Sequence, residues 1–394
     1  MFSTRRIATM GGDKYRDEFS LAFDGSNDYV DCGSDSSLDV GTSKFSVTAW
    51  FKVAADSNGT IVSKGDGLSS ANYNDHGWAI SYSDASDEIY FDVHAGTDGS
   101  SIRRYAVTGD DTIELNTWYH VAATRTTNGA NSVYSMYLNG ELKQALTVVD
   151  GGTYDLLAAD GTISDASNNF QIGRSSLGGA LKFEGNISDV AYYNTGLLKG
   201  QVATIYNGRE PYNHREGIAA RYLKGWWRMG DGSLDSQSHP ESGIMLYNGV
   251  VSDESAPTSL GVDLVTNGAF TGNATGWTLN TGWAYDSNNI TCSSGSTTVE
   301  QDISAVADTV YQVTLDVTYS GGALTLKAGN SDAVTVAGGG THTYYLLAKN
   351  TNNLIITSVS FTGSLDNIKV RAASGNPGVM RSMTHSDFEM DVPR

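Results

Sequence analysis

Residues 183–194, FEGNISDVAYYN, set one carboxylate among apolar side chains. Side chains alternate on a strand, so Phe183, Ile187, Ala191 and Tyr193 share a face, and Asp189 falls on it with them. A buried unpaired charge costs several kcal/mol. The chain must therefore supply Asp189 with a cation, with backbone N–H donors from a neighbouring strand, or with a metal ion. Other candidates for chemistry are sparse. Glycoside hydrolysis needs two carboxylates ~5 to 10 Å apart, and the nearest acidic cluster, Asp84, Asp87 and Glu88 in SDASDEIY, has the composition of a turn. The seven histidines are isolated, with no H-x-H or H-E-x-x-H among them, and His120, beside Trp118 and Tyr119, is expected as a strand residue filling its place. No G-x-S-x-G elbow occurs, and neither GGDK nor GGGT matches a phosphate loop.

Aromatic faces offer apolar area to the C–H groups of sugars, with amides and carboxylates supplying hydrogen bonds. Trp283 and Tyr285 share strand parity in a polar setting and are the candidate carbohydrate-binding pair. Trp277 in GWT, and Trp50 and Trp118 within strong strands, are expected in cores, and of Trp226 and Trp227, pointing oppositely on one strand, one is expected in the core and the other outside it.

The elements that must position these residues are strands. The chain has 394 residues, 45 Gly and 5 Pro, and Thr, Ser, Val and Tyr crowd between Asn/Asp/Gly clusters, a composition of an all-β protein with tight turns. A single core stops growing at roughly 250 to 300 residues, so two domains are expected: an N-terminal arm over 1–18, a first β-domain over 19–250, a linker over 251–262, a second β-domain over 263–371 and a polar tail over 372–394. Asn139-Gly140 predicts a type I′ hairpin turn, Leu198, Val202 and Ile205 predict one short helix, and AARYLKGWWRMGDGS is expected to return to the first domain as a late strand. GNISDV and GSLDNI each put a glycine, an aliphatic and an acid at the start of a final strand.

Formal net charge is −19, from 44 acidic and 25 basic residues, which repels a phosphate backbone, so nucleic acid is not an expected partner. Cys32 and Cys292 lie in different expected domains and predict no disulfide framework. The N-terminal stretch lacks the apolar run of a signal peptide, and no segment approaches the ~20 apolar residues that span a bilayer; synthesis in a cytoplasm without membrane insertion is the expectation.

The succession FDGSNDYVDCG, FSVTAWFK, IVSKGD, GWAISY, TWYHVAATR, YLNGEL, FQIGRS, FEGNISDVAYYN and IYNGRE resembles the laminin-G-like, concanavalin A-type jelly roll over about residues 19 to 210. LVTNGAF, GWT, VEQDI, VYQVTLDV and SLDNIKV are similar to the β-sandwich carbohydrate-binding modules of the four-and-nine type, over about 262 to 371. The pair, with GWWRMGDG between, looks like structural proteins of tailed bacteriophages. The resemblance implies two antiparallel β-sandwich (jelly-roll) domains and a structural calcium, carried over to Asp24, Asp189 and, as the counterpart in the second unit, Asp366. Jelly-roll glucanases carry E-x-D-x-x-E on one strand, and that string is absent here.

The expectation is a non-enzymatic virion protein of a tailed phage, a capsid decoration, head fibre or tail appendage made in the host cytoplasm and displayed on the virion surface. Its partners would be capsid or tail proteins, host-surface polysaccharide and, as in many fibres, two further copies in a homotrimer. The arm and the tail would dock it. The alternatives are a bacterial cell-surface carbohydrate-binding adhesin and, against the missing carboxylate string, a degraded glucanase.

Overall fold

The computed structural model describes residues 18–65, 77–95, 102–107, 113–128, 131–148, 163, 165, 167–175, 181–210, 212–215, 219–230, 245–246, 259–307, 309–331, 333–336, 338–374, 378–383 and 385–393. The arm, apart from its last residue, and most of the linker lie outside them. Strands dominate, and no helix among the described residues is long and apolar enough to cross a membrane. In chain order the first unit contributes β1 (Ser20–Asp24), β2 (Tyr29–Asp31), β3 (Phe45–Val53), β4 (Gly59–Lys64), β5 (Gly77–Ser83), β6 (Glu88–Ala95), β7 (Ile102–Val107), β8 (Trp118–Asn128), β9 (Asn131–Leu138), β10 (Glu141–Val148), β11 (Gln171–Ile172), β12 (Glu184–Tyr193), α1 (Lys199–Tyr206), β13 (Leu223–Trp227) and β14 (Met245–Leu246). The second contributes β15 (Ser259–Leu260), β16 (Thr278–Leu279), β17 (Trp283–Asp286), β18 (Asn289–Gly295), β19 (Thr298–Gln301), β20 (Val310–Ala328), β21 (Val334–Val336), β22 (Gly340–Leu347) and β23 (Leu354–Ser374). Two strands follow, β24 (Gly378–Arg381) and β25 (Phe388–Glu389).

The first unit is two antiparallel sheets, ordered β10-β9-β8-β3-β12-β1-β25, with β13 beside β12, and β14-β24-β2-β11-β4-β5-β6-β7. Phe45, Val47, Ala49 and Phe51 of β3 enter the core between them, as alternation predicts. The intervening Ser46, Thr48, Trp50 and Lys52 are buried as well, because α1 and the chain around it cover the outer face of that sheet, where Ala122, Tyr193, Val202, Ile205 and Trp226 form a second, smaller cluster. This layer corrects one expectation. Trp226 and Trp227 do face oppositely, but neither is outside: Trp227 is in the main core and Trp226 in the smaller cluster.

Asn139 and Gly140 both take positive φ, +51° and +78°, in the turn that joins β9 to β10, as a type I′ turn requires. The expected helix is α1, with Val202 and Ile205 buried and Leu198 exposed beside its N-terminus. β13 pairs with the second half of β12, the expected return strand.

In the second unit β20 and β23 run side by side almost throughout, and together with β15–β19, β21 and β22 they make one sheet around one core. The glycines of TYSGGA and FTGSL, which divide strands in the sequence, are bulges and bends inside two continuous strands. A bulge adds a residue to one side of a pair and turns the strand.

The C-terminal segment does not form a separate tail. β24 pairs with β2 and β14, and β25 pairs with β1, so residues that follow the second unit complete both sheets of the first. Met380 and Met383 enter the first core. Polar composition concealed this, because β25 is an edge strand with few apolar residues.

Candidate functional site

β12 changes partner midway: its first half pairs with β1 and its second with β13, while β3 runs along the opposite edge. At the changeover the register with β3 slips, from Ser188↔Trp50 to Ala191↔Thr48, so that Asp189 and Val190 together oppose Ala49. Asp189 takes φ +50°. The inserted residue reverses side-chain parity. Phe183 and Ile187 before it, and Val190 and Tyr192 after it, enter the main core, whereas Ala191 and Tyr193 join the outer cluster. The single-face pattern expected for residues 183–193 is thus broken at Asp189 itself.

Asp189 is 2% exposed. Its Oδ1 accepts from the indole N–H of Trp226, and its Oδ2 lies 3.1 Å from Nε2 of His214. Nδ1 of His214 is bonded to the Tyr193 hydroxyl. Burial, then the nearby Asp189 carboxylate, holds that hydroxyl well above its usual pKa, so it keeps its proton, and the Asp189 carboxylate accepts from Nε2 of His214. The polar side-chain atoms that join Trp226, Asp189, His214 and Tyr193 thus each meet a partner within this one buried network. Tyr212 packs edge-on to His214, and the guanidinium groups of Arg215 and Arg228 lie 5.5 Å from the Trp226 ring centre. His120 fills its place as expected, against Trp50 and Tyr206. Burial, with His214 nearby, lowers its pKa to about 3, so it is neutral.

The partners the structure gives Asp189 are therefore the side chains of His214 and Trp226 and not a neighbouring backbone. His214 was missed because it lies 25 residues away, in a polar stretch with no periodicity to mark it.

The expected calcium ligands are not brought together. Asp24 stands opposite Glu184 in the β1–β12 ladder, about five residues from Asp189 and on the order of 16 Å along the strand at ~3.3 Å per residue. It organises the turn after β1 by accepting from the backbone N–H groups of Ser26, Asn27 and Asp28, and despite the opposing effect of burial these bonds lower its pKa. Beside it Asp28 is pushed up to about 6 by burial and by the Asp24 charge. Asp366 pairs with Asp316 across the β20–β23 ladder, and both accept from Asn367. Among the described residues no group of three or more His, Cys, Asp or Glu side chains has the arrangement of a metal site. A hard cation wants about six to eight oxygens; Asp189, enclosed by two N–H donors, does not fit one.

A buried cation of the chain's own stands elsewhere. Lys64 is wholly buried; its Nζ meets the carbonyls of Asp165 and Asn168 at 2.6 and 2.8 Å and the Asp39 carboxylate at 2.9 Å. The Asp165 carboxylate, raised to about 6 by burial against the lowering effect of Lys64, accepts from the N–H of Val40.

The two carbohydrate-binding candidates separate. Trp283 is 6% exposed and stacks on Phe361 in the second core. Tyr285, two residues closer to the hairpin tip, is 37% exposed, with its hydroxyl bonded to the backbone N–H of Asn288. Shared parity did not reveal that the edge strand leaves the core between them. Trp277 is core, packed on Phe270, and Trp118 is only partly buried. Asp84 and Asp87 occupy the β5–β6 turn and Glu88 the first position of β6. Cys32 and Cys292 are free.

The first unit is thus a pair of antiparallel sheets packed on one core, with a second layer over the outer face of one of them. Residues 24–203 match the family described as the Concanavalin A-like lectin/glucanases superfamily, so the first unit has that fold. Among solved structures the chain is similar to a heptameric SAP-like pentraxin from Limulus polyphemus, at 16% identity and a TM-score of 0.34 over 48% of this chain and 82% of that one. It is also similar to a putative carbohydrate binding protein from Bacteroides ovatus, at 18% and 0.39 over 60% and 56%. A third likeness is to tailspike protein 2 of Escherichia coli O157:H7 bacteriophage CAB120, at 13% and 0.35 over 56% and 31%. No curated protein matches.

Proposed function

We propose that the chain is a non-enzymatic, glycan-binding structural protein displayed on the surface of a tailed-phage virion. The carrying observation is that residues 24–203 have the lectin and glucanase fold while the chain lacks the E-x-D-x-x-E string of the hydrolytic members. Hydrolysis needs two carboxylates flanking one bond; binding needs only a surface with apolar faces and hydrogen-bonding groups. Tyr285, with Asn288 beside it, is an exposed aromatic of this kind in the second unit, as is Tyr319. The virion part of the proposal is supported by the resemblance of the paired sandwiches, with GWWRMGDG between them, to phage structural proteins. A homotrimer in contact with capsid or tail proteins belongs to the same proposal.

Mass spectrometry of purified particles tests it, with the chain expected in stoichiometric amounts. Its absence from particles, together with detection on the surface of uninfected bacteria, would favour the second reading, a bacterial adhesin, which the same fold supports.

A further inference from the structure

The end of the chain carries an observation that glycan binding does not use. β25 lies along the open edge of β1, in the pairs Ser20↔Glu389 and Leu21↔Phe388. Past it, the Asp391 carboxylate meets the Lys52 ammonium through one oxygen and accepts from Nε1 of Trp118, at 3.0 Å, through the other. The Lys52 ammonium also lies 5.7 Å from the centre of the Trp118 ring. Ser20 Oγ donates to the Asp391 carbonyl at 2.6 Å, and Asn186 Nδ2 donates to Glu389 at 2.7 Å. A strand edge, a cation and an indole N–H thus converge on one extended acidic segment.

We propose that the β1 edge with Lys52 and Trp118 is a peptide-docking site for an acidic extended segment, filled within one chain by residues 388–391 and open to the same segment of a second copy. Addition of a strand to a sheet edge takes affinity from the backbone and specificity from side-chain sites, and a carboxylate between a lysine and an indole N–H is such a site.

The occupant is held unevenly: it makes two ladder pairs, Phe388 packs against the first core and Val392 is buried, whereas Met390 is 75% exposed and the Asp391 side chain half exposed. β24 is held apart from it: it lies between β2 and β14, with Met380 and Met383 in the core.

The receptor does not tolerate vacancy. The Lys52 side chain is only 11% exposed, and among the described residues Asp391 is the carboxylate it pairs with. Without the segment a mostly buried ammonium loses its counter-charge and β1 becomes an open edge. A second copy offers the chemistry that removes both penalties.

The test uses the chain truncated before residue 385 and a fluorescein-labelled peptide of residues 385–394, read by anisotropy. The truncated chain is expected to bind the peptide saturably, and the full chain not to bind it. A peptide with Asp391→Asn should bind about tenfold more weakly, the loss of one charge-assisted contact, and Lys52→Met in the truncated chain should cause a similar loss. Should truncation prevent folding, the full-length Asp391→Asn variant, whose own segment is weakened, is expected to take up the wild-type peptide. If no folded variant takes up the peptide, or if the Asn peptide binds as well as the Asp peptide, the proposal is overturned.

Discussion

Asp189 and Asn367 occupy equivalent positions in two bulges, one in each unit. Each follows a glycine by four residues, Gly185 and Gly363, and takes φ +50°. Each shares with its successor a single opposing residue, Ala49 for Asp189-Val190 and Leu315 for Asn367-Ile368. The glycines are dictated by close backbone approach: a Cβ at Gly185 would lie 2.1 Å from the Lys52 carbonyl oxygen, and one at Gly363 would lie 1.9 Å from that of Thr318. The phrases GNISDV and GSLDNI therefore encode one closing device, in which the left-handed residue turns the strand. In the first unit that residue also anchors His214 and Trp226.

The left-handed conformation costs roughly 1–2 kcal/mol for most residues and less for Asn and Gly. Asn367→Gly is expected to leave chemical-denaturation stability within about 0.5 kcal/mol, and Asn367→Val to lower it by at least ~1 kcal/mol.

Leaving a buried polar group without its hydrogen-bond partner typically costs ~1–3 kcal/mol, more for a charged group. Asp189→Ala and His214→Ala should each destabilise the first unit on that scale, and the double variant should lose less than the sum. Because the partners of Asp189 are side chains, calcium and EGTA should leave the unfolding midpoint of the wild type unchanged. A calcium-dependent rise that disappears in Asp189→Ala would overturn the assignment.

Burial and Asp24 raise the Asp28 carboxyl to about 6, above the ~3.9 of an unfolded chain. A carboxyl raised on folding holds its proton longer in the native state, so its contribution is most favourable below the unfolded value and is lost as pH rises through about 6. Asp28→Asn should therefore raise the thermal midpoint at pH 7.5 and change it little at about pH 3.5, below the unfolded value.

Trp283 and Tyr285 predict opposite phenotypes. Truncating a buried large aromatic costs ~3–5 kcal/mol, so Trp283→Ala should unfold the second unit at lower denaturant. Tyr285→Ala should leave stability within about 0.5 kcal/mol and weaken binding of any glycan held by that unit, as read on an array.

Alternation made most of the fold legible: β3, β8, β12 and the hairpin turn at Asn139-Gly140 stand where the sequence puts them. Bulges defeat alternation. One inserted residue at Asp189 exchanged the faces of all that follows in β12, and the glycines near 321 and 363 read as turns when they are bends within continuous strands. Long-range closure was equally hidden. Nothing local in HSDFEMDVP announces a partner such as Ser20, some 370 residues earlier, just as nothing in NHRE announces Asp189. Exposure of Tyr285 against burial of Trp283 depended on where an edge strand departs from its core, which parity does not encode.

The central claim is binding without turnover. The most direct measurement incubates the purified full chain with a panel of bacterial surface polysaccharides and follows bound glycan and released reducing ends together. Saturable binding with no reducing ends is the predicted result. Release of reducing ends that is abolished by changing a single carboxylate, or failure to retain any glycan in the panel, would contradict it.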